Sequence, residues 1–218
     1  LELVERDKTL FVKVQKLQVC LFDFELSVRQ SLQRYSDENG NVHQFSENFL
    51  RAEIDPNAEL SKGENFEDYI LNAIETTIIS NGVQVCVIDN LTALLSNITE
   101  TRDALLLMHK LRLLKLRHNL SMLVLSHMPT RDASRPISKN DMVGSMHLLN
   151  LCDSAFAIGQ SGKESDIRYA KQVKCRSAEF KFDSDNVAIF KVAKHGSYLC
   201  FEHIGFGNEE DMLRKQSS

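Results

Sequence analysis

The sequence predicts an α/β fold: a doubly wound, mostly parallel sheet with antiparallel strands added at its C-terminal end. Three observations carry this expectation. Short, almost wholly apolar runs recur at residues 19–24, 83–89 and 121–126, which suits strands buried on both faces. Segments with helical spacing separate the strands, so the order through residue 126 is strand, helix, strand, helix, strand, helix, strand. Beyond residue 167 the apolar residues alternate with polar ones, as in antiparallel strands with one wet face.

Each element has its own signal. Val19–Phe24 is an apolar run ending in acids. Ser27-Val28-Arg29-Gln30 has the form of a capping box and starts a helix that extends to about Glu38. Residues 40–48 form a polar loop, and Phe49–Ile54 is a second strand ahead of Asp55-Pro56. A helix over about Asn65 to Ile79 gathers Phe66, Tyr69, Ile70, Ala73, Ile74 and Ile78 on one face, with Asn81-Gly82 closing it. Val83–Asp89 is the third strand. Glu100–His118 is a helix with leucines toward the core and Arg102, Lys110, Arg112, Lys115 and Arg117 outward. Ser121–Ser126 is the fourth strand, followed by a polar loop from Met128 to Val143 and a short helix over about Ser145 to Leu151. Ser154–Ile158, Ile167–Cys175, Val187–Val192 and Tyr198–Ile204 complete the strands, with a tight turn at His195-Gly196. No linker interrupts the pattern, so residues 1–207 read as one domain and 208–218 as a polar tail.

Bulk properties narrow the function. A chain of 218 residues is long enough for one sizeable core. Its net charge of −4 excludes a generally basic nucleic-acid binder and leaves room only for a local basic face. No apolar run approaches the ~20 residues a membrane span needs. The first residues, Leu-Glu-Leu-Val-Glu-Arg-Asp-Lys, hold no signal-peptide core and no initiating methionine, which reads as a fragment. Five cysteines (Cys20, Cys86, Cys152, Cys175, Cys200), odd in number and without a CxxC, point to a reducing cytoplasm.

In an open parallel sheet, ligands sit outside the carboxyl ends of the strands. Here Asp23-Phe24-Glu25 ends the first strand, Asp89 ends the third in "QVCVIDNLT", and His127 follows the fourth. A carboxylate to hold magnesium, a second to polarise water and a polar sensor would together suit phosphoryl transfer. The plainer reading is that exposed strand ends carry polar residues. Three on adjacent strands favour a site.

Four blocks in this order resemble the RecA/DnaB-like P-loop ATPases: "CLFDFELSVRQ", "VCVIDNLTAL", "MLVLSHMPTRDASRPISKNDMVGSMHLLNLCDSAFAIG" and "IRYAKQVKCR". Over residues 8–205 the chain is most similar to RepA-like AAA-family ATPases of plasmids and mobile elements of Bacteroides-type bacteria. The resemblance implies a RecA-like domain that binds and hydrolyses ATP with Mg2+. It also implies helicase-like work in replication or mobilisation, as a homo-oligomeric ring. By that resemblance Asp89 is the Walker B aspartate at the metal, Glu25 the water-activating glutamate, and His127 the sensor of the γ-phosphate. Lys174 and Arg176 are then the Lys-x-Arg pair that reaches the neighbouring subunit's phosphates, a task that suits arginine's fixed charge and forked donors. The competing reading of "KQVKCR" is a solvated strand face. Gly144-Ser145 matches a family pair at a loop-to-helix junction, with a helix-start role equally open.

The family's G-x-x-x-x-G-K-[ST] loop surrounds the phosphates with backbone N–H groups. Only Asp7-Lys8-Thr9-Leu10 stands where it would open the first helix, which would make Lys8 and Thr9 the cofactor-binding pair and Thr9 a metal ligand. The loop's glycine positions fall on Glu2 and Asp7, and the first glycine of the chain is Gly40. Side chains there block the backbone's approach, and Glu2, Glu5 and Asp7 repel a polyanion. A fragment, a degenerate copy and a disrupted start all fit this loss, and so does a non-catalytic RecA-like module for assembly or DNA binding. Arg131, Arg135 and Lys139 in the loop after the fourth strand offer phosphate contacts to single-stranded DNA, or are simply a solvated loop.

Overall fold

The computed structural model describes residues 2–6, 9–13, 16–53, 66–91, 101–128, 130–141 and 146–214, with side chains omitted at 2–13, 101–104 and 146–148. The chain packs as two compact units, where the sequence shows no linker. One gathers Leu1–Val14, Gln33–His43 and Met128–Ser218, and the other Gln15–Leu32 and Gln44–His127.

The second unit is a four-stranded parallel sheet. Its strands are β3 (Val19–Asp23), β4 (Phe49–Ala52), β5 (Val85–Asp89) and β6 (Ser121–Val124), in the order β4-β3-β5-β6. Helices α1 (Val28–Arg34), α2 (Phe66–Asn81) and α3 (Thr101–Arg117) connect them. The expected capping box forms at α1: Ser27 N donates to Gln30 Oε1 at 2.9 Å, and Gln30 N reaches back to Ser27 Oγ at 3.4 Å. Gly82, at φ +60°, ends α2 in the left-handed conformation that a side chain disfavours.

Helical spacing decides which stripes are buried. Ile70, Ile74 and Ile78 of α2 and Leu107, Leu111 and Leu114 of α3 are all at most 5% exposed. Each contributes on the order of 1.5–3 kcal/mol by leaving water. Ion pairs join the two helices, with Lys110 Nζ 2.8 Å from Asp68 and Arg117 Nη1 2.7 Å from Glu75. Partner positions advance together along both helices, so α2 and α3 run parallel, as successive β-α-β crossovers require.

Two expectations change here. Leu106, Leu113 and Leu116 of α3 are exposed, so the leucines do not all turn to the core. Burial along β3 and β5 alternates, with Cys20, Phe22, Cys86 and Ile88 sealed and Val19, Leu21, Val85 and Val87 only half-buried. An apolar run therefore marks the strand without showing that both faces are covered, and α1 contributes no buried residue. Cys20 and Cys86 face one another in register, and burial pushes their thiols up to about 11 and about 12.

The first unit holds a separate antiparallel sheet in the order β10-β9-β8-β7. The strands are β7 (Ser154–Gln160), β8 (Ile167–Cys175), β9 (Val187–His195) and β10 (Tyr198–Gly207), with the expected turn at His195-Gly196. These strands do not extend the parallel sheet. Alternation in sequence reveals a strand with two unlike faces but not the edge it joins. The covered face packs Ala157, Tyr169, Val173 and Val187 around Ile137 from the preceding loop. Two short helices, α4 (Met146–Leu151) and α5 (Glu209–Met212), belong to this unit. Residues Glu2–Arg6 (β1) and Thr9–Lys13 (β2) form an antiparallel hairpin. Thr9 thus opens a strand, where the resemblance implied the start of a helix.

Candidate functional site

Four of the strand-end residues singled out by sequence lie at the carboxyl edge of the parallel sheet, and the geometry there depends on a fifth that sequence reasoning did not use. Asp23 is 5% exposed, and its oxygens are fully engaged. Oδ1 accepts the backbone N–H groups of Glu25 (3.0 Å) and Leu26 (2.8 Å), while Oδ2 accepts Arg51 Nε at 2.9 Å. Arg51, from β4, also donates to the Leu26 carbonyl and to Glu53. Asp23 is therefore a brace rather than a ligand. It folds the chain after β3 into a tight turn that carries Glu25 off the strand end.

Glu25, Asn90 and His127 meet at the ends of β3, β5 and β6. Asn90 Nδ2 lies 2.9 Å from Glu25 Oε2 and 3.0 Å from His127 Nε2, and the imidazole and carboxylate approach to 3.3 Å. Asn90 is 5% exposed, whereas the side chains of Glu25 and His127 are 46% and 65% exposed. The Asn90 amide nitrogen carries two hydrogens, enough to serve both neighbours at once. The two outer groups reach solvent while the inner one fixes their spacing.

Backbone pairing sets this arrangement. Asp23 and Asp89 are register partners in parallel strands, and Phe24 N donates to the Asp89 carbonyl at 2.6 Å. Leu91 N donates to Leu125 O at 2.8 Å, tying the exit of β5 to that of β6. The Asp89–Asn90 peptide is cis. Asp89 itself is half-buried at the last position of β5.

Mg2+ is held by oxygen ligands and often keeps several waters, so one or two carboxylates plus phosphate oxygens suffice. Asp89 supplies one such carboxylate at the end of β5. Asp23 is spent on Arg51 and the turn, and no group of three potential metal ligands occurs among the described residues. Of the phosphate-loop candidates, Lys8 and Gly144-Ser145 lie outside the described residues, and Thr9 is described by its backbone alone. A complete Mg-ATP site is not assembled by the residues described.

The remaining candidates lie in the other unit. Lys174 Nζ donates to the Leu149 carbonyl, and Arg176 Nη2 to that of Asn150 at 2.8 Å. Both cations sit at the C-terminal turn of α4, where unpaired carbonyls favour positive charge. Arg131 donates to the Arg135 carbonyl (2.6 Å) and to the Tyr169 hydroxyl (3.3 Å). Arg135 pairs with Asp141, which also accepts Ser138 N at 2.7 Å. That pairing holds the Asp141 carboxyl down at about 2. Lys139 is exposed. Two of the three basic residues are thus tied into the scaffold of their own loop.

This unit also has a buried ion pair without a sequence signal. Glu209 is fully buried; Lys171 Nζ lies 2.6 Å from its Oε2, and Ile137 N lies 2.7 Å from its Oε1. Lys171 adds bonds to the Ile137 carbonyl and Ser184 Oγ, each at 2.7 Å. Burial and the nearby Glu209 charge push the Tyr169 phenol up to about 12.

Comparison with models of protein families finds no match to this chain, and comparison with curated proteins finds none either. No helix among the described residues is long and apolar enough to cross a membrane.

Proposed function

We propose that the chain is the RecA-like ATP-binding and ATP-hydrolysing domain of a cytoplasmic, helicase-like replication or mobilisation ATPase of a mobile element. It works as an oligomer, and the turnover of this chain by itself is weak or absent. The observation that carries this reading is the Glu25–Asn90–His127 cluster beside Asp89, on the adjacent ends of β3, β5 and β6. In this reading Glu25 accepts a proton from an attacking water, Asn90 holds that carboxylate, and His127 meets a polar group arriving from solvent. When bound, Mg2+ would screen the phosphate charge beside Asp89. For residues 1–218, weak or absent turnover is expected, since they hold no G-x-x-x-x-G-K-[ST] and Glu2, Glu5 and Asp7 stand before and within its nearest likeness, Asp7-Lys8-Thr9.

The same absence favours a second reading, a non-catalytic RecA-like module that no longer binds nucleotide. Thermal melting with millimolar Mg-ATP, paired with single-turnover hydrolysis by Glu25→Gln, separates the two. The ATPase reading expects a raised melting temperature and residual hydrolysis lost in the variant. An unchanged melting temperature leaves the non-catalytic module.

A further inference from the structure

The antiparallel sheet has two unlike faces: among the described residues one carries the buried core cluster, and the other keeps several large apolar side chains exposed. Register places Phe190 of β9 opposite His203 of β10, with Phe201 and Phe206 on the same side. Phe182, from the segment before β9, stacks on Phe206 at a centroid distance of 5.7 Å and an interplanar angle of 8°. Phe206 is 4.6 Å from His203, His203 is 5.5 Å from Phe190, and Phe190 is 6.1 Å from Phe201. Five rings thus form an unbroken series along β9 and β10, in which Phe182, Phe190 and His203 are half-buried. Phe201 and Phe206 are 52% and 48% exposed, and Phe156 of β7, on the same face, is 53% exposed.

Charge indicates the occupant. No strand position on this face carries a carboxylate, although the chain has 30 acidic residues against 26 lysines and arginines. The charged side chains that register puts there are cations, Lys194 opposite Leu199 and Arg168 opposite Phe190. Arg168 Nη1 donates to the Ser165 and Ile167 carbonyls at 2.7 and 3.0 Å, while its other guanidinium nitrogens have no such bond to those carbonyls. A ring series exposed at Phe201 and Phe206, flanked by positive charge and with no carboxylate at its strand positions, matches unpaired nucleobases on a phosphate backbone.

We infer that this face of the β7–β10 sheet binds single-stranded nucleic acid by stacking about two to four bases on its aromatic series. Arg168 and Lys194 hold the phosphates. The site is separate from the strand-end carboxylates and stands whether or not those residues handle nucleotide. It also differs from the loop containing Arg131 and Arg135, which has no ring to offer. Binding here is led by stacking, with few phosphate contacts. The salt slope is accordingly shallow, about −1.4 in log–log form for two neutralised phosphates.

The test is fluorescence anisotropy of the full chain with a labelled oligothymidylate of about twelve nucleotides, a length within a usual single-strand site. Phe201→Ala weakens binding by about tenfold, the loss expected for one stacked base. Phe201→Tyr keeps the ring and keeps the affinity, and melting curves of both variants establish that they fold. The same strand without bases binds far more weakly. Unchanged affinity in Phe201→Ala, equal affinity for the abasic strand, or no binding at all would overturn the inference. So would sedimentation as a dimer that Phe201→Ala dissociates, or capture by phosphatidylglycerol vesicles without capture of the oligonucleotide.

Discussion

Asn90 Nδ2 stands 2.9 Å from Glu25 Oε2, joining the ends of β5 and β3 across 65 residues of sequence. The amide is nearly inaccessible, while the carboxylate it holds is half in water. Replacing Asn90 by leucine removes that donor at similar volume and should cost about 1–2 kcal/mol of stability. Asn90→Asp sets a second carboxylate against Glu25 and should cost more at neutral pH, with part of the loss recovered on acidification. Urea melts of both variants at pH 7 and pH 5 check this ordering.

Asp23 is the brace beneath the site, and its pairing with Arg51 leaves it 3% exposed at the side chain. Asp23→Asn keeps the shape but gives up the charge facing the guanidinium and the two turn N–H groups. The expected loss is about 2–3 kcal/mol, below the range for a fully buried pair because Arg51 reaches solvent. Hydrogen exchange at Glu25 and Leu26 should accelerate with it. Unchanged exchange there would show that the turn does not depend on Asp23.

Glu209 and Lys171 make a pair in which each partner is costly alone. Lys171→Met strands a buried carboxylate and should lower stability by about 3–5 kcal/mol. Adding Glu209→Leu should restore part of that loss, so the double variant is more stable than Lys171→Met by itself. Chemical denaturation of the native chain, of Lys171→Met, of Glu209→Leu and of the double variant measures the coupling.

Acid sensitivity follows from Asp141. Its folded value of about 2 lies below its ordinary value of 3.8, so the Arg135 pairing contributes stability that is fully present above about pH 4. That contribution is lost as pH falls through 2, because protonation abolishes the charge Arg135 holds. With Arg135 half exposed, the amount is on the order of 1–2 kcal/mol. Asp141→Asn should flatten stability between pH 4 and pH 2, as followed by thermal melting across that range.

What the sequence made legible was local. Continuous apolar runs located β3, β5 and β6, helical spacing found the buried stripes of α2 and α3, and Ser27 with Gln30 marked the start of α1. Alternation found β8 at its observed bounds, Ile167–Cys175. The strand-end positions of Glu25, Asp89 and His127 followed from where those runs stopped. Pairing over distance was not legible. Asp23 with Arg51, Asn90 with Glu25, and Lys171 with Glu209 depend on register and on elements far apart in sequence. The hairpin at Thr9 was missed because a family pattern suggested a helix for a stretch whose own alternation, Leu10 to Lys13, also suits a strand.

The most direct test of the proposed ATPase site is the melting temperature of the chain with and without millimolar Mg-ATP, alongside Asp89→Asn. The account predicts an upward shift in the native chain, growing with nucleotide concentration, and its loss in the variant. A melting temperature that does not move at millimolar Mg-ATP would contradict it.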